Sequence, residues 1–171
     1  MNKPECKAYA NGDKRWVLNG ELHREDGPAF ERTDGTKEWF LNGKCHREDG
    51  PACEYSNGHK VWYLNGKVHR EDGPAVEDAN GDKYWYLNGK RHREDGPAVE
   101  RVSGHKEWRL NGELHREDGP AVERAGGRKM WWLNGEFVDP ETIVDLWLMR
   151  GEFCFYDKDN DCLNFAKTNK K

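Results

Sequence analysis

Apolar and polar residues alternate over short stretches of this chain, and one short pattern returns every 23 residues. In each copy Lys, Trp and Leu occupy alternate positions directly before an Asn-Gly pair, as Lys60, Trp62 and Leu64 do. Alternation with a period of two places Trp and Leu on one side of a β-strand. The tryptophans of the six copies follow one another without an insertion: Trp16, Trp39, Trp62, Trp85, Trp108 and Trp131.

Glycine and proline divide the rest of each copy into turns and one further extended stretch. Asn-Gly between alternating apolar residues is the strongest short hairpin signal, because a type I′ turn requires positive φ at both central positions. The string HREDGPA follows in five copies and leads into a short segment such as residues 97–100, whose proline fixes its start. A second glycine turn ends the copy. The pattern predicts two short strands and two turns per copy, and it excludes helices from the array.

One hairpin alone is marginally stable in water, so the copies must stack to bury their Trp and Leu side chains. We therefore predict an all-β fold, an elongated single-sheet solenoid of six 23-residue β-hairpin repeats. The array should span residues 1–138, with a half unit at 5–12 that supplies an edge strand and six units from about residue 12 onward. Residues 139–171 should form a short capping helix, a hairpin and a tail; Asp139 and Pro140 are a typical helix start.

Composition and charge narrow the classes of function. Apolar and charged residues each make up 35% of the chain, yet eight Trp, six Tyr and six Phe argue against disorder. A net charge of −4 argues against general nucleic-acid binding. The five cysteines form no CxxC pair, so neither a zinc site nor a disulfide framework is expected. Without a long apolar run, we expect no membrane insertion and take the cytoplasm as the default location.

The repeat resembles the MORN repeat, a β-hairpin unit of similar length. Residues 85–96, with the sequence WYLNGKRHREDG, carry the resemblance in an aromatic residue, an Asn-Gly-Lys turn, a basic residue before His, and a glycine. The HREDGPA form is similar to repeats of bacterial and tailed-phage proteins, and the resemblance covers about residues 11–138. It departs from the family where Tyr84 or Glu107 replaces the glycine before Trp, and where Arg93 replaces the glycine after His. The resemblance implies a binding module rather than an enzyme.

The HRED positions contain residue types used in catalysis, but they recur in five copies. An active site requires one special constellation, and here no copy differs from the others. We interpret these residues as ion-pair ladders between stacked copies, with the His orienting a turn. Equivalent His residues should lie about 9–10 Å apart, too far for one metal ion to bridge. We therefore predict a protein that is not an enzyme and that holds no metal or cofactor.

Two positions on the strand side opposite Trp and Leu vary from copy to copy. In copies two to four they carry Phe40, Val61, Tyr63, Tyr84 and Tyr86, and we expect these side chains to form one contiguous patch. Aromatic residues flanked by Arg are favoured at protein-binding hot spots. The same side chains are also suited to internal packing, and the sequence leaves both interpretations open. The variable column continues with two further candidate residues, Arg109 and Trp132.

The first functional hypothesis is a non-catalytic repeat scaffold that binds a protein partner, as an inhibitor or adaptor of bacterial or phage origin. The alternative is a protein that sequesters a small molecule or nucleotide on the face of the sheet, with Arg109, His59 or His105 as polar contacts. Because open sheet edges can pair with one another, a homodimer is also compatible with the sequence.

Overall fold

A computed structural model describes residues 3–141, 144, 148, 154–157 and 162–165 of the protein. The described chain consists almost entirely of short antiparallel strands built from hairpins, which confirms the all-β repeat fold. It divides into two compact units, Met1–Arg91 and His92–Lys171.

The first unit contains a main antiparallel sheet and three separate hairpins. The sheet has the order β1-β2-β4-β5-β8-β9-β12-β13, with β3 paired to β2, and the hairpins are β6-β7, β10-β11 and β14-β15. These strands are β1 (Glu5–Ala8), β2 (Lys14–Leu18), β3 (Glu21–Leu22), β4 (Phe30–Glu31), β5 (Lys37–Glu38), β6 (Phe40–Leu41), β7 (Lys44–Cys45), β8 (Cys53–Glu54), β9 (Lys60–Val61), β10 (Tyr63–Leu64), β11 (Lys67–Val68), β12 (Val76–Glu77), β13 (Lys83–Tyr84), β14 (Tyr86–Leu87) and β15 (Lys90–Arg91).

The second unit repeats this arrangement with fewer strands. Its sheet has the order β16-β17-β20-β21, and its hairpins are β18-β19, β22-β23 and β24-β25. The strands are β16 (Val99–Glu100), β17 (Lys106–Glu107), β18 (Arg109–Leu110), β19 (Glu113–Leu114), β20 (Val122–Glu123), β21 (Lys129–Met130), β22 (Trp132–Leu133), β23 (Glu136–Phe137), β24 (Cys154–Asp157) and β25 (Cys162–Phe165).

In copies two to six the expected single strand before the Asn-Gly pair is divided at the tryptophan, whereas β2 of the first copy runs unbroken through Trp16. In the third copy β9 pairs with β8 and β12, whereas β10 pairs only with its own return strand, β11. Between them the Trp62 N–H donates to the carbonyl of Ala75 (2.8 Å), and the Trp62 carbonyl accepts from the His69 N–H (3.1 Å). The residues around Trp62 therefore pair with two different stretches of the copy, β11 before the protruding HREDG loop and β12 after it. The prediction of two strands per copy is wrong for this reason, and most copies contain four short segments.

Both predicted turns adopt the backbone conformations that their residues favour. The six Asn residues of the Asn-Gly pairs have φ between 49° and 53°, and the glycines that follow also have positive φ, as a type I′ turn requires. At the other end of the copy, Gly58 has φ 89° and ends a three-residue loop that Tyr55 and His59 close by a backbone hydrogen bond of 2.9 Å. These two turns fix the length and register of each copy.

Successive copies are joined through the Asn-Gly turns. The Gly66 N–H donates to the carbonyl of Cys45 (2.8 Å), and the Arg47 N–H donates to the carbonyl of Tyr63 (3.1 Å). The Asn65 N–H donates to Nδ1 of His46 (3.2 Å), and Oδ1 of Asn65 lies 3.0 Å from the same nitrogen. Each HREDG copy thus holds the turn of the copy that follows.

The core is a thin layer of small side chains along the sheet. The alanine of every HREDGPA string is fully buried, and Val99 is the largest side chain that is completely enclosed. The space at this position suits a methyl group. The backbone of the neighbouring Trp lies directly alongside, and its N–H donates to the alanine carbonyl. The sheet therefore gains its apolar burial in small steps, one copy at a time.

The two ends of the chain agree with expectation where they are described. Strand β1 pairs with β2 from Glu5↔Val17 to Ala8↔Lys14, as expected for an edge strand from this segment, and β24 pairs with β25 as the predicted final hairpin. Pro140, Glu141, Val144 and Leu148 are helical. The rest of the predicted helix and the tail lie outside the described residues. Within the described part of the chain, no helix has the length and apolar character needed to cross a membrane.

Replacing Gly127 by Ala should destabilise the array, because Gly127 has φ 82° although no atom lies near the position of an added Cβ. The left-handed conformation alone should cost about 1 kcal/mol in the free energy of unfolding. Gly126 is a matched control, since a Cβ there also meets no atom and its φ is not positive. Urea unfolding should show a lower midpoint for Gly127→Ala than for Gly126→Ala. Equal midpoints would contradict the turn conformation.

Candidate functional site

The repeated side of the sheet is organised around the arginine of each HREDG loop. In the third copy Arg70 donates from Nε to Oδ1 of Asp72 (2.8 Å) and from Nη1 to the carbonyl of Pro74 (3.2 Å). Its guanidinium also lies over the ring of Trp62, 4.3 Å from the centroid. A planar, permanently charged group with several donors is suited to this combination of contacts. The same bond to an aspartate two residues later recurs at Arg24, Arg47, Arg93 and Arg116.

The ion pairs of these loops close within a copy. Arg47 contacts Asp49 at 2.8 Å and Glu54 at 2.9 Å, and both acids belong to its own copy. The predicted ladders between copies are therefore wrong at this position, because the loop folds back and brings its own carboxylates to the arginine first. The link between copies is instead made by the histidine, which accepts from the next Asn-Gly turn. These contacts give the HRED residues a structural role in the loop.

The arginines of four HREDG loops lower the pKa of the aspartates to which they are paired. A hydrogen bond from Arg70, followed by its positive charge, lowers the pKa of Asp72 below the ordinary value of 3.8. Asp26, Asp49 and Asp95 have their pKa lowered by the equivalent arginines. Their carboxylates stay ionised in neutral solution and remain almost entirely open to solvent, while the arginine between them and the tryptophan is mostly covered.

The variable positions lie on the other side of the sheet. Trp62 and Leu64 line an open groove between successive HREDG loops. Val61 and Tyr63 alternate with them along the strand and therefore point away from that groove. In the main sheet Val61 pairs with Cys53 and Val76, and Tyr84 pairs with Val76. Two members of this first row are covered, since Val61 is 6% exposed and Cys53 is 3% exposed, whereas Val76 and Tyr84 are half-buried.

A second row, formed by the Asn-Gly hairpins, is half-buried and mostly aromatic. Phe40 pairs with Cys45, Tyr63 pairs with Val68, and Tyr86 pairs with Arg91. Burial, followed by the neighbouring cysteines and Glu38, raises the pKa of Tyr63 above its ordinary value. The second row thus places neutral tyrosine rings beside the covered side chains of Val61 and Cys53.

Arg91 fixes the tyrosines of the fourth copy. Its Nε donates to the hydroxyl of Tyr86 (3.1 Å), and its guanidinium lies 5.4 Å from the ring centroid of Tyr84. The hydroxyl of Tyr84 donates to Asp82 (3.3 Å). Because both rings are held by neighbouring groups of the same sheet, they keep one orientation.

The structure brings the five predicted residues of the first unit onto one side of the sheet. Val61 is buried, whereas Phe40, Tyr63, Tyr84 and Tyr86 are half-buried. Val61 therefore supports the surface and is not exposed on it. Each of the four aromatic residues pairs with a residue of the adjacent strand, Phe40, Tyr63 and Tyr86 within their hairpins and Tyr84 within the main sheet.

Two further residues of this side, Tyr55 and Asp78, were missed by the sequence analysis, and both contact His59, which it had considered as a polar contact. Tyr55 is 38% exposed, its ring centroid lies 5.1 Å from that of His59, and His59 Nδ1 contacts Asp78 at 2.6 Å. Burial, followed by nearby Cys53 and Glu38, raises the pKa of Tyr55 to about 12. The signal was present, since these positions also vary from copy to copy. Antiparallel pairing places them beside the two columns that were considered.

The candidate residues of the second unit are already engaged. Arg109 donates from Nε to Glu107 (2.7 Å) and from Nη1 to the carbonyl of Gly112 (2.7 Å), while Nε2 of His105 lies 2.9 Å from the other oxygen of Glu107. Burial opposes ionisation of Glu107, but hydrogen bonds from His105 and Arg109 lower its pKa overall. The ring of Trp132 packs edge-on against Phe137 at 5.7 Å. The charge of Arg109 is therefore balanced by Glu107, so Arg109 is not available to bind an anion.

Comparison with known proteins gives no assignment. No protein-family model matches the chain, and no curated protein matches its sequence. Among the residues that the structure describes, no group of three or more His, Cys, Asp and Glu side chains is arranged to hold a metal ion.

Replacing Asp72 by Asn should lower stability at neutral pH, because the neutral amide loses the charged bond to Arg70. Since the pKa of Asp72 is lowered in the folded protein, its contribution is complete above the ordinary value of 3.8 and is lost as the pH falls below it. Urea midpoints of the variant and the parent should therefore differ more at about pH 7 than at about pH 3.

The charge-matched control for this experiment is Glu71→Gln, at the exposed neighbouring position. It should change the urea midpoint less than Asp72→Asn does at neutral pH. A difference between Asp72→Asn and the parent that stays constant across the pH range would contradict the proposed role of the Arg70–Asp72 pair.

Proposed function

We propose that the protein is a non-catalytic, MORN-like repeat scaffold that binds a protein partner through the variable side of its first unit. An inhibitor or adaptor of bacterial or phage origin, acting in the cytoplasm, is the form of this function that the sequence favours. The observation that carries the proposal is the row of half-buried aromatic residues Phe40, Tyr63 and Tyr86 beside the covered side chains of Val61 and Cys53.

The rings of this row are prepared for binding. Tyr86 is held by Arg91, and Tyr63 is half-buried and pairs with Val68 in its hairpin. A side chain whose rotamer is fixed before binding loses little conformational entropy when a partner covers it. Tyrosine also combines a large apolar surface with a polar end, which is why it is frequent among interface hot spots.

The repeated residues serve a different purpose from the variable ones. Arg70, Asp72 and Trp62 are used in bonds that hold the loop, so substitutions there change the fold of a copy. The side chains of Tyr63 and Tyr86 do not take part in those bonds, and they are free to differ between copies. A scaffold with constant structural positions and variable surface positions is typical of repeat proteins that bind partners.

The partner can be found by incorporating a photo-crosslinking phenylalanine derivative at Tyr63 in the source cell. Irradiation should give one discrete protein adduct, which mass spectrometry then identifies. The matched control places the same derivative at Lys60, which is exposed and lies on the opposite side of the same strand region. The same adducts from both positions, or none from Tyr63, would contradict the proposed surface.

With the purified partner, the double variant Tyr63→Ala and Tyr86→Ala should bind more than tenfold more weakly. Tenfold corresponds to about 1.4 kcal/mol, less than one interface hot spot usually contributes. The control variant Lys60→Ala and Lys83→Ala, on the other side of β9 and β13, should bind as the parent does. Calorimetry measures both, and circular dichroism checks that each variant is folded. Unchanged affinity of the folded tyrosine variant would exclude this patch.

One observation in the second unit favours a small anionic ligand, such as a nucleotide, as a second candidate function. In the first unit His59 pairs with the carboxylate of Asp78, the residue opposite it. The pairing Lys106↔Glu123 places His105 opposite Arg124 instead. Arg101 and Arg128 flank these two across the glycine turns, and the guanidinium of Arg124 makes no ion pair with any described residue. His105 itself contacts Glu107, but the guanidinium groups of the three arginines around it are complementary to phosphate groups.

A panel of nucleotides and inorganic pyrophosphate should test this row by thermal unfolding. A ligand at one hundred times its Kd stabilises the folded state by about 2.7 kcal/mol, so a binding compound should raise the Tm by several degrees. The variant Arg124→Asp restores the carboxylate that the His59 copy has, and it should abolish the increase. Arg32→Asp, at the corresponding position of another copy, should preserve it. No increase with any phosphate compound would exclude this candidate.

A further inference from the structure

One chemical feature of the array occurs in a single copy. Cys45 and Cys53 occupy the two positions that are filled in the neighbouring copies by pairs such as Leu22 and Phe30. Both cysteines are reduced, and both lie on the variable side of the first unit. Everything else with nucleophilic potential in the HREDG loops recurs from copy to copy, so this pair is an unrepeated constellation.

The ladder places the two cysteines side by side. Cys45 faces Phe40, and Cys53 faces Glu38, two residues earlier on the same segment. Between these two pairs, the Trp39 N–H donates to the carbonyl of Ala52 (2.8 Å), and the Trp39 carbonyl accepts from the His46 N–H (3.1 Å). The residues next to both cysteines are therefore bonded to the same residue, and the two cysteine segments stay in register with this strand. Because the two cysteines face positions two residues apart on one strand, their Cα atoms should be about 6.6 Å apart. Disulfides join Cα atoms about 4.4–6.8 Å apart, and this spacing lies within that range.

The two thiols also differ in accessibility and acidity. Cys45 is half-buried, whereas Cys53 is 3% exposed. A hydrogen bond between the thiols lowers the pKa of Cys45, and the same bond, followed by burial, raises the pKa of Cys53. The pair therefore ionises at the outer sulfur while the inner sulfur keeps its proton. A thiolate at an accessible position with a second thiol beside it is the arrangement found at thiol–disulfide exchange sites.

We propose that Cys45 and Cys53 form a reactive dithiol that exchanges with small disulfides of the glutathione class and closes to an intramolecular disulfide. The Cys45 thiolate attacks one sulfur of the oxidised glutathione, a mixed disulfide forms, and one glutathione thiolate leaves. Cys53 gives its proton to that thiolate and attacks the sulfur of Cys45, which breaks the mixed disulfide and releases the second glutathione thiolate. The cysteine pair is oxidised by two electrons, and the glutathione disulfide is reduced to two glutathione molecules.

The reaction would connect β7 to β8 at the base of the loop formed by residues 46–52. Burial raises the pKa of the half-buried Tyr63, and both sulfurs also help to raise it. The reaction does not depend on which partner the variable side binds, and it is measured on the protein alone.

The test exposes the folded, full-length protein to oxidised glutathione, blocks the remaining thiols with iodoacetamide and maps the tryptic peptides. Cleavage after Lys44, Arg47 and Lys60 leaves residues 45–47 and 48–60 as separate peptides, which should be recovered joined by a disulfide. The joined peptides should lack two hydrogens relative to their sum. In the variant Cys53→Ser, the mixed disulfide with glutathione should instead accumulate on Cys45.

Cys6 provides the internal comparison, because it is exposed and is not paired with either of the other two cysteines whose side chains the structure describes. It should form the mixed disulfide more slowly than Cys45 does, and it should not form an internal bond. The proposal is overturned if Cys45 and Cys53 both remain fully alkylated in the oxidised, folded parent, or if Cys6 reacts as fast as Cys45. Since the parent itself is mapped, the result does not depend on whether the serine variant folds.

Discussion

Each copy of this array depends on a hydrogen-bonded contact between a turn and the copy before it. The Asn-Gly turn holds both residues at positive φ, which exposes its N–H groups toward the preceding copy. There the Gly66 N–H reaches the carbonyl of Cys45, and the Asn65 N–H reaches the imidazole of His46. A turn of another type would direct these donors elsewhere, and the next hairpin would lose its register. The spacing of the copies therefore follows from the turn, and the burial of alanine and tryptophan follows from the spacing.

The constant residues of each copy have different structural roles. Histidine joins neighbouring copies, whereas arginine closes its own loop by bonding to Asp72 and Pro74 and by covering Trp62, as Arg70 does. Each contact is modest in solvent, but it is made again in the next copy, so the array is stabilised by repetition rather than by one large core. On the opposite side of the sheet, the side chains at several positions do not take part in these stabilising contacts.

The variable side shows what that freedom allows. In the first unit it holds tyrosines fixed by Arg91, a His59–Asp78 pair and two adjacent thiols; in the second unit it holds a basic row. These groups differ in chemistry although the backbone beneath them is the same. A scaffold of this kind can present a partner surface, an anion site or a thiol pair without altering the strands. The proposals for this protein all concern that side, because the repeated side is occupied by its own bonds.

The sequence alone determined the repeat length, the two turns and the side of the strand on which each residue lies. These features depend on local rules: Asn-Gly requires positive φ, and side chains alternate along a strand. Only the tertiary structure decided how Arg47 pairs, because its partners Asp49 and Glu54 are brought together by the fold of the loop and not by the stacking of copies. It also decided that Val61 is buried while Tyr63 is not, and that Cys45 and Cys53 are neighbours. Such contacts join residues on different strands, and their register depends on the whole ladder rather than on any short stretch of sequence.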